Sequence, residues 1–374
     1  MNVAVPKLGA VAAVVMTVML IGSTTSTQTG IPSRAVGQQM ADADAGSPTF
    51  VAEELVRASV TVVYVLKGVE CPSGQCVRLF RSNDDGLHFE QVNLPKEVRT
   101  QPAVTVDSFF EQAQFPTPSD GYLPVNFELY MTNDGARTWH VVSFGRKESV
   151  LTVAATSKWA YAMLSECKFA CGTDELARSA TGSSHWSIVS VAHASHSQPP
   201  EVAAAVGDRV WLMSGIGTGE ITILVSTNEG NTFSVVWREP MINCGLYPTS
   251  ERVVWLDCSG GMMGDWFRST DGGRHFQALP IFPYHSDPFD PVNSTVAFYL
   301  PATSAQVRVT TNGGESFESR GVLPVKGAVI AAELSFATPQ QGLVLVWPAN
   351  ELFVTTNGGH AWQLVKAPRV QAGR

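Results

Sequence analysis

The octapeptide Ser-Thr-Asp-Gly-Gly-Arg-His-Phe at residues 269–276 puts a hydroxyl, a carboxylate and an imidazole within a few positions of one another. Those are the groups of acid–base chemistry, yet an Asp followed by two glycines also suits a tight turn. Recurrence decides between the two. The pattern returns at Ser82, Thr132, Ser179, Ser226, Thr310 and Thr355, so there are seven copies whose starts lie 41 to 50 residues apart. The third position holds Asp84, Asp134, Asn228, Asp271, Asn312 and Asn357, with Thr181 in the remaining copy. Asn stands for Asp in three copies. An amide accepts hydrogen bonds as a carboxylate does but serves neither as general acid nor as nucleophile. The third position is therefore read as a turn acceptor, not a catalytic group. Gly86, Gly230, Gly273, Gly314 and Gly359 at the fifth position suit a backbone angle that side chains resist. The Phe or Trp at the eighth position is expected to wedge between neighbouring sheets. Two copies deviate, with Thr181 in place of the acceptor and Ala136 in place of the second glycine. Their turns are expected to be looser or differently bonded.

The elements that carry these turns read as strands. Alternating runs such as "FELYMT", "EITILVS", "QVRVT" and "ELFVT" precede the boxes, and "FEQVNLP", "WHVVSF", "FSVVW" and "WQLV" follow them. Each box is thus a hairpin turn, and most units carry two further candidate strands upstream, such as "EVAAAV" with "RVWLMSG". Four strands per unit and about 47 residues per unit predict an all-β fold, a seven-bladed β-propeller with four-stranded antiparallel blades, over residues 48–374. The first strand of blade one must come from "PTFVAEELVRAS", whose Glu-rich centre reads equally as helix. Closure of the ring by strand exchange stays open at that point.

Residues 1–26 combine a short basic start with an apolar run from Leu8 to Gly22, and read as a signal peptide or an N-terminal anchor. Residues 27–47, rich in Ser, Gly, Gln, Ala and Asp, read as a disordered tether. Export to the cell envelope or the medium is the expectation, with membrane contact only through an uncleaved anchor. The six cysteines fall as the close pairs Cys71 and Cys76, Cys167 and Cys171, and Cys244 and Cys258. In an exported chain these are disulfide candidates. Zinc is the weaker reading, because the pairs are far apart and none is Cys-x-x-Cys. The first two pairs bracket loops expected on the face opposite the boxes, and Lys168 and Phe169, inside the second, are candidate ligand contacts. Cys244 and Cys258 fall on adjacent predicted strands as cross-strand partners.

Other chemistry finds no starting residue. The chain carries a net charge of −8 with a pI near 5.5, and no run of Lys or Arg exceeds two residues, which gives no footprint for nucleic acid. There is no Gly-x-Ser-x-Gly elbow, Walker loop or His-Glu-x-x-His. His193 and His196 lie in a Ser/Pro-rich connector without Cys or carboxylate neighbours and read as a solvated loop. "SGGMMG" at Ser259 reads as a hairpin loop, since no helix follows it. No metal or cofactor is expected.

The octapeptides resemble the Asp-box, or BNR, repeats of sialidases, sortilin-type luminal domains, xyloglucan-cleaving endoglucanases and photosystem II assembly factors. The match spans seven motifs over nearly the whole chain after the tether. The resemblance implies a propeller whose boxes lie away from the ligand face, and carries over no catalytic residue. Sialidases carry a Phe/Tyr-Arg-Ile-Pro segment, an arginine trio and a Tyr/Glu pair; the nearest fragments here are "LFRS" and "TGIPSR". The expected function is a monomeric, non-catalytic binding or assembly module that recognises a protein segment or a glycan through its loop face. The alternative is a glycoside hydrolase of sialidase type, which an arginine cluster beside a Tyr/Glu pair on that face would favour.

Overall fold

The computed structural model describes residues 52–365 apart from 72–73, 100–112, 146–148, 166–173, 190–199, 218, 260–263, 281–286, 302–303, 328, 330 and 348–350. The strands form seven antiparallel sheets in strict sequence order, six of four strands and one of three. Blade one comprises Ala52–Arg57, Val63–Cys71, Gly74–Ser82 and Glu90–Val92. Blade five comprises Asn243–Pro248, Val254–Ser259, Gly264–Ser269 and Gln277–Ala278. In blade two, Gly121–Val125, Glu128–Thr132 and His140–Val141 are strands, and Gln114 takes the first-strand position through an isolated antiparallel bridge to Tyr122. A single helical turn, Lys96–Arg99, interrupts the β structure of the described residues.

Each blade is buried on both faces, and its second strand is the most continuously apolar. Val63, Tyr64, Val65 and Leu66 are all fully buried, as are Val210 to Met213. The core divides into seven apolar clusters, one for each seam between adjacent blades. Every blade thus needs two neighbours, which a closed ring alone supplies.

Closure uses no strand exchange. Blade one is built wholly from the first described strands and blade seven from Ala331–Phe336, Gly342–Trp347, Glu351–Thr355 and Gln363–Leu364. The Glu-rich segment at the start is strand, because its backbone is claimed on both sides: it pairs with Val63–Lys67, and the Leu55 amide donates to Glu333 Oε2 at 3.0 Å in blade seven. Arg57 completes the joint. It donates from Nη2 to the Ser335 carbonyl at 3.2 Å and from Nη1 to Asp85 Oδ1 at 2.6 Å and the Val60 carbonyl at 3.0 Å. One seam earlier, the Phe336 amide donates to Asp290 Oδ2 at 2.5 Å. Carboxylates on first strands therefore hold the backbone of the next blade.

A second repeated device sits on the second strands. Tyr64, Tyr122, Tyr161, Trp211, Trp255, Phe298 and Leu343 each stand opposite the residue immediately before the box Ser or Thr of their own blade. From that common register each reaches toward the next blade. Tyr64 donates to the Pro118 carbonyl, Trp211 to Gly272 and Trp255 to Asn293, while the Tyr122 hydroxyl accepts from the Gly182 amide at 2.9 Å. Phe298 stacks on Phe336 with centroids 3.6 Å apart. Leu343 packs so close to Gly86 that a Cβ there would fall 2.8 Å from it.

Candidate functional site

Six of the seven boxes share one internal wiring. In blade five, Ser269 Oγ donates to Asp271 Oδ1 at 2.8 Å and accepts from the Asp271 and Gly273 amides at 3.3 and 2.9 Å. Asp271 Oδ1 also accepts from the amides of Arg274 and His275, and its Oδ2 lies 2.6 Å from His275 Nδ1. The amide of the fifth box residue reaches the leading hydroxyl at 2.8 to 3.0 Å in all six copies. In Asn228 and Asn312 the side-chain N–H₂ turns to Thr232 and Ser316 at the seventh position, where a carboxylate in the other boxes meets a donor. Asp and Asn thus occupy equivalent, internally bonded positions.

The deviating copies behave differently from each other. Ala136 sits at φ 66° in the left-handed region, yet its amide donates to Thr132 Oγ1 at 3.0 Å and Asp134 Oδ1 accepts from the amides of Arg137 and Thr138 at 2.9 Å. That turn is as fully bonded as the others, which corrects the expectation of looseness: its bonds come from backbone amides, the leading hydroxyl and the side chains of Arg137 and Thr138, and none needs the fifth residue to be glycine. Blade three is rewired. Ser179 Oγ donates to the His185 carbonyl at 2.7 Å, and Thr181 Oγ1 donates to the Thr156 carbonyl at 2.8 Å.

The meander order puts the boxes and the turns between first and second strands on one face, and the turns between second and third strands on the other. Three arginines that precede boxes, Arg81, Arg178 and Arg268, belong to the box face. Arg178 Nη1 donates to the Glu229 carbonyl in the next blade at 2.6 Å, and Arg81 Nη2 to the Pro118 carbonyl at 3.3 Å. Each lies over an aromatic ring of its own blade, Tyr64, Trp159 and Trp255 respectively. They fasten blades and do not form a carboxylate clamp on the opposite face.

On that opposite face, one Tyr/Glu pair stands in blade two, where the Tyr130 hydroxyl donates to Glu128 Oε2 at 2.9 Å. Burial, the Glu128 bond and the charge of Glu97 all push the Tyr130 phenol up, which holds it protonated. A carboxylate that accepts a phenol's hydrogen bond is also placed to act as its general base. Beside it, Asn126 and Phe127 both adopt left-handed angles, φ 52° and 68°, in the tip of the hairpin. Phe127 is half-buried there, and its carbonyl accepts from Val150 of blade three at 2.8 Å.

Cys244 and Cys258 face each other across the first hairpin of blade five and are joined, with Sγ–Sγ 2.03 Å. Cys71 ends the second strand of blade one and Cys76 lies in the third, opposite Val69. Their side chains, and Cys167, Cys171, Lys168, Phe169, His193 and His196, lie outside what the structure describes, as do residues 1–26 and the tether 27–47.

Next to Cys258 stands a group the sequence reading passed over. Asp257 lies on the second strand of blade five and accepts from Trp266 Nε1 at 2.9 Å. Its carboxyl is raised to about 7, first by burial and further by the charge of Asp287, against the Trp266 bond. Trp266 stacks on Phe289 of blade six, centroids 4.2 Å apart, and Tyr247 packs on the same ring. Gly245, directly opposite Asp257, makes room for Tyr247: a Cβ there would fall 2.6 Å from the Tyr247 hydroxyl oxygen. The signal in the sequence was an acid inside the apolar run "VVWLDC". Among the described residues, no three His, Cys, Asp or Glu side chains gather to hold a metal ion.

No protein-family model matches the chain, and no curated protein does. Similar solved structures include "YCF48 bound to D1 peptide", 14% identical over 83% of this chain and 94% of that chain, with a TM-score of 0.52. A puromycin hydrolase is 10% identical over 88% of this chain and 55% of that chain, with a TM-score of 0.54. A puromycin-hydrolyzing peptidase of Mycobacterium tuberculosis is 10% identical over 84% of this chain and 54% of that chain, with a TM-score of 0.50. At these identities the likeness is one of fold.

Proposed function

We propose that the chain is an exported Asp-box propeller, a non-catalytic binding or assembly module that recognises a protein segment through the face opposite its boxes. One observation carries this reading: the repeated acceptors are engaged within their own turns, so the most conspicuous chemistry of the sequence is structural and recognition falls to the other rim. Similarity in fold to a propeller bound to a peptide supports a protein segment over a glycan. The sialidase-type alternative is disfavoured by Arg81 and Arg178, which are bonded to carbonyls on the box face and not gathered beside the Tyr130 and Glu128 pair.

The test is affinity capture with the tagged chain from its own envelope fraction, in parallel with Phe127→Ala on the loop face and Thr270→Ala on the box face. A protein retained by the wild type and Thr270→Ala, but not by Phe127→Ala, supports the reading. Turnover of a fluorogenic sialoside by the purified chain, lost on changing a loop-face carboxylate, overturns it.

A further inference from the structure

The chain holds two Asn-Gly pairs, Asn312-Gly313 and Asn357-Gly358, and the repeat places both at the third and fourth positions of a box. Asn-Gly is especially prone to convert itself, because glycine leaves its amide nitrogen open to approach the preceding side chain. That nitrogen loses its proton and bonds to Cγ of the asparagine, the Cγ–Nδ2 bond breaks, and ammonia leaves a cyclic imide behind. Water then opens the imide at one carbonyl or the other, giving aspartate or an isoaspartate whose main chain runs through the former side chain. Water is the only co-reactant, and the chain gains a negative charge.

The boxes hold back both reacting groups. In six blades the amide of the fourth box residue donates to a carbonyl in the turn between the first and second strands of the same blade, at 2.7 to 2.9 Å. Gly313 donates to Thr295 and Gly358 to Gln340, and both glycines are buried. A nitrogen so engaged keeps its proton until the turn opens. The carbon under attack is held as well. Asn312 Oδ1 accepts from Thr310 Oγ1 at 2.9 Å and the Ser316 amide at 3.1 Å, and Asn357 Oδ1 from Thr355 Oγ1 at 3.0 Å and the Ala361 amide at 2.9 Å. The two blades differ at the leaving group. Asn312 Nδ2 donates to Ser316 Oγ at 2.9 Å, whereas the seventh residue of the last box is Ala361, which has no hydroxyl to offer. Both asparagines are exposed, so water reaches the imide. Asn228, in the remaining Asn box, is followed by Glu229 and lacks the glycine.

We propose that Asn357 is a self-modification site, at which the folded chain slowly turns its last box from an Asn box into an Asp box, while Ser316 protects Asn312. The aspartyl product fits the turn. Asp84, Asp134 and Asp271 hold the same position and accept from the leading hydroxyl and the seventh amide as Asn357 does. The isoaspartyl product lengthens the main chain between Thr355 and Gly359, whose amide donates to Thr355 Oγ1 at 3.0 Å, and so breaks that fit.

The experiment incubates the full chain, folded and in urea, in mildly alkaline buffer. Peptide mass spectrometry follows each asparagine, and an isoaspartyl methyltransferase assay separates the two products. In urea both asparagines are expected to convert at similar rates. In the folded chain both slow, and Asn357 converts several-fold faster than Asn312. Ser316→Ala should bring Asn312 up to the rate of Asn357, and Ala361→Ser should bring Asn357 down; both positions are exposed, so neither change disturbs the core. Equal rates for the two asparagines in the folded wild type overturn the proposal, as do rates that the two substitutions leave unmoved.

Discussion

Trp211 in blade four donates its indole N–H to the carbonyl of Gly272, 3.1 Å away in the box turn of blade five. Trp211 is fully buried, so the bond joins two blades where no water can replace it. Trp211→Phe keeps most of the ring and leaves the Gly272 carbonyl without that donor, for an expected loss of about 1 to 3 kcal/mol. Trp211→Ala also opens a cavity and is expected to cost about 3 to 5 kcal/mol. Urea unfolding midpoints of the two variants check the order, and a Trp211→Phe variant as stable as the wild type would mean that the indole N–H contributes nothing.

Glycine at the fifth box position is required in some blades and not in others. Gly86 has φ 83°, and a Cβ there would lie 2.8 Å from Leu343 Cδ2, whereas blade two carries a buried Ala136 at φ 66° in the same place. Gly86→Ala therefore meets both strain and a clash, and is expected to destabilise by about 2 kcal/mol or more. For Ala136→Gly the terms oppose. Relief of about 1 to 2 kcal/mol of left-handed strain is offset by about 0.8 kcal/mol of lost methyl burial and about 0.5 to 1 kcal/mol of chain entropy. The expected change is close to zero by calorimetry, and a large one of either sign would show that the turn does not bond as described.

These contrasts mark what the sequence makes legible. The box is visible because its donors and acceptors lie within eight consecutive residues, so any copy shows the same letters. The second-strand latch is just as regular in space but not in sequence: Tyr64 precedes its box by 18 residues, Trp211 by 15 and Leu343 by 12. Hairpin length varies while register does not, and only the paired strands reveal the common position. Cys244 and Cys258 were readable because one hairpin relates them. The setting of Asp257 was not, since its partner Trp266 stacks on Phe289 of another blade only when the seam closes. The first strand escaped assignment for a third reason. Its Ala, Glu and Leu favour helix, and the pairing that overrides this comes from Val63–Lys67 and from Glu333 at the far end of the chain.

Arg57 and Asp85 form a buried pair at 2.6 Å, with side chains 5% and 9% exposed, where the last blade meets the first. Burial pushes the Asp85 carboxyl up and Arg57 opposes it, so removing the arginine strands a carboxylate in the core. Arg57→Met is expected to cost about 3 to 5 kcal/mol. Adding Asp85→Asn should return a large part of that loss, because the uncompensated charge disappears with it. A double-mutant cycle on denaturation midpoints measures the coupling. Strict additivity would mean that closure rests on the apolar seam and the Ser335 bonds alone.

Asp271 gives the box a pH dependence of its own. Partial burial works to raise its carboxyl, but the His275 ring and amide and the Ser269 hydroxyl outweigh it and hold the group well below the usual carboxylate range. A folded value below the unfolded one contributes stability that is present above the ordinary 3.8 and is lost as pH falls further. Asp271→Asn retains the Oδ1 acceptor that Asn312 and Asn357 use in their own boxes, and removes only the charge that faces His275. The variant should therefore be less stable than the wild type near neutral pH, by a modest amount since the histidine is exposed. The gap should close as pH is lowered through ~4 and below, where the wild-type carboxyl takes up a proton. Urea titrations of both proteins at stepped pH test this, and a gap of constant size would mean that the charge on Asp271 contributes nothing beyond its shape.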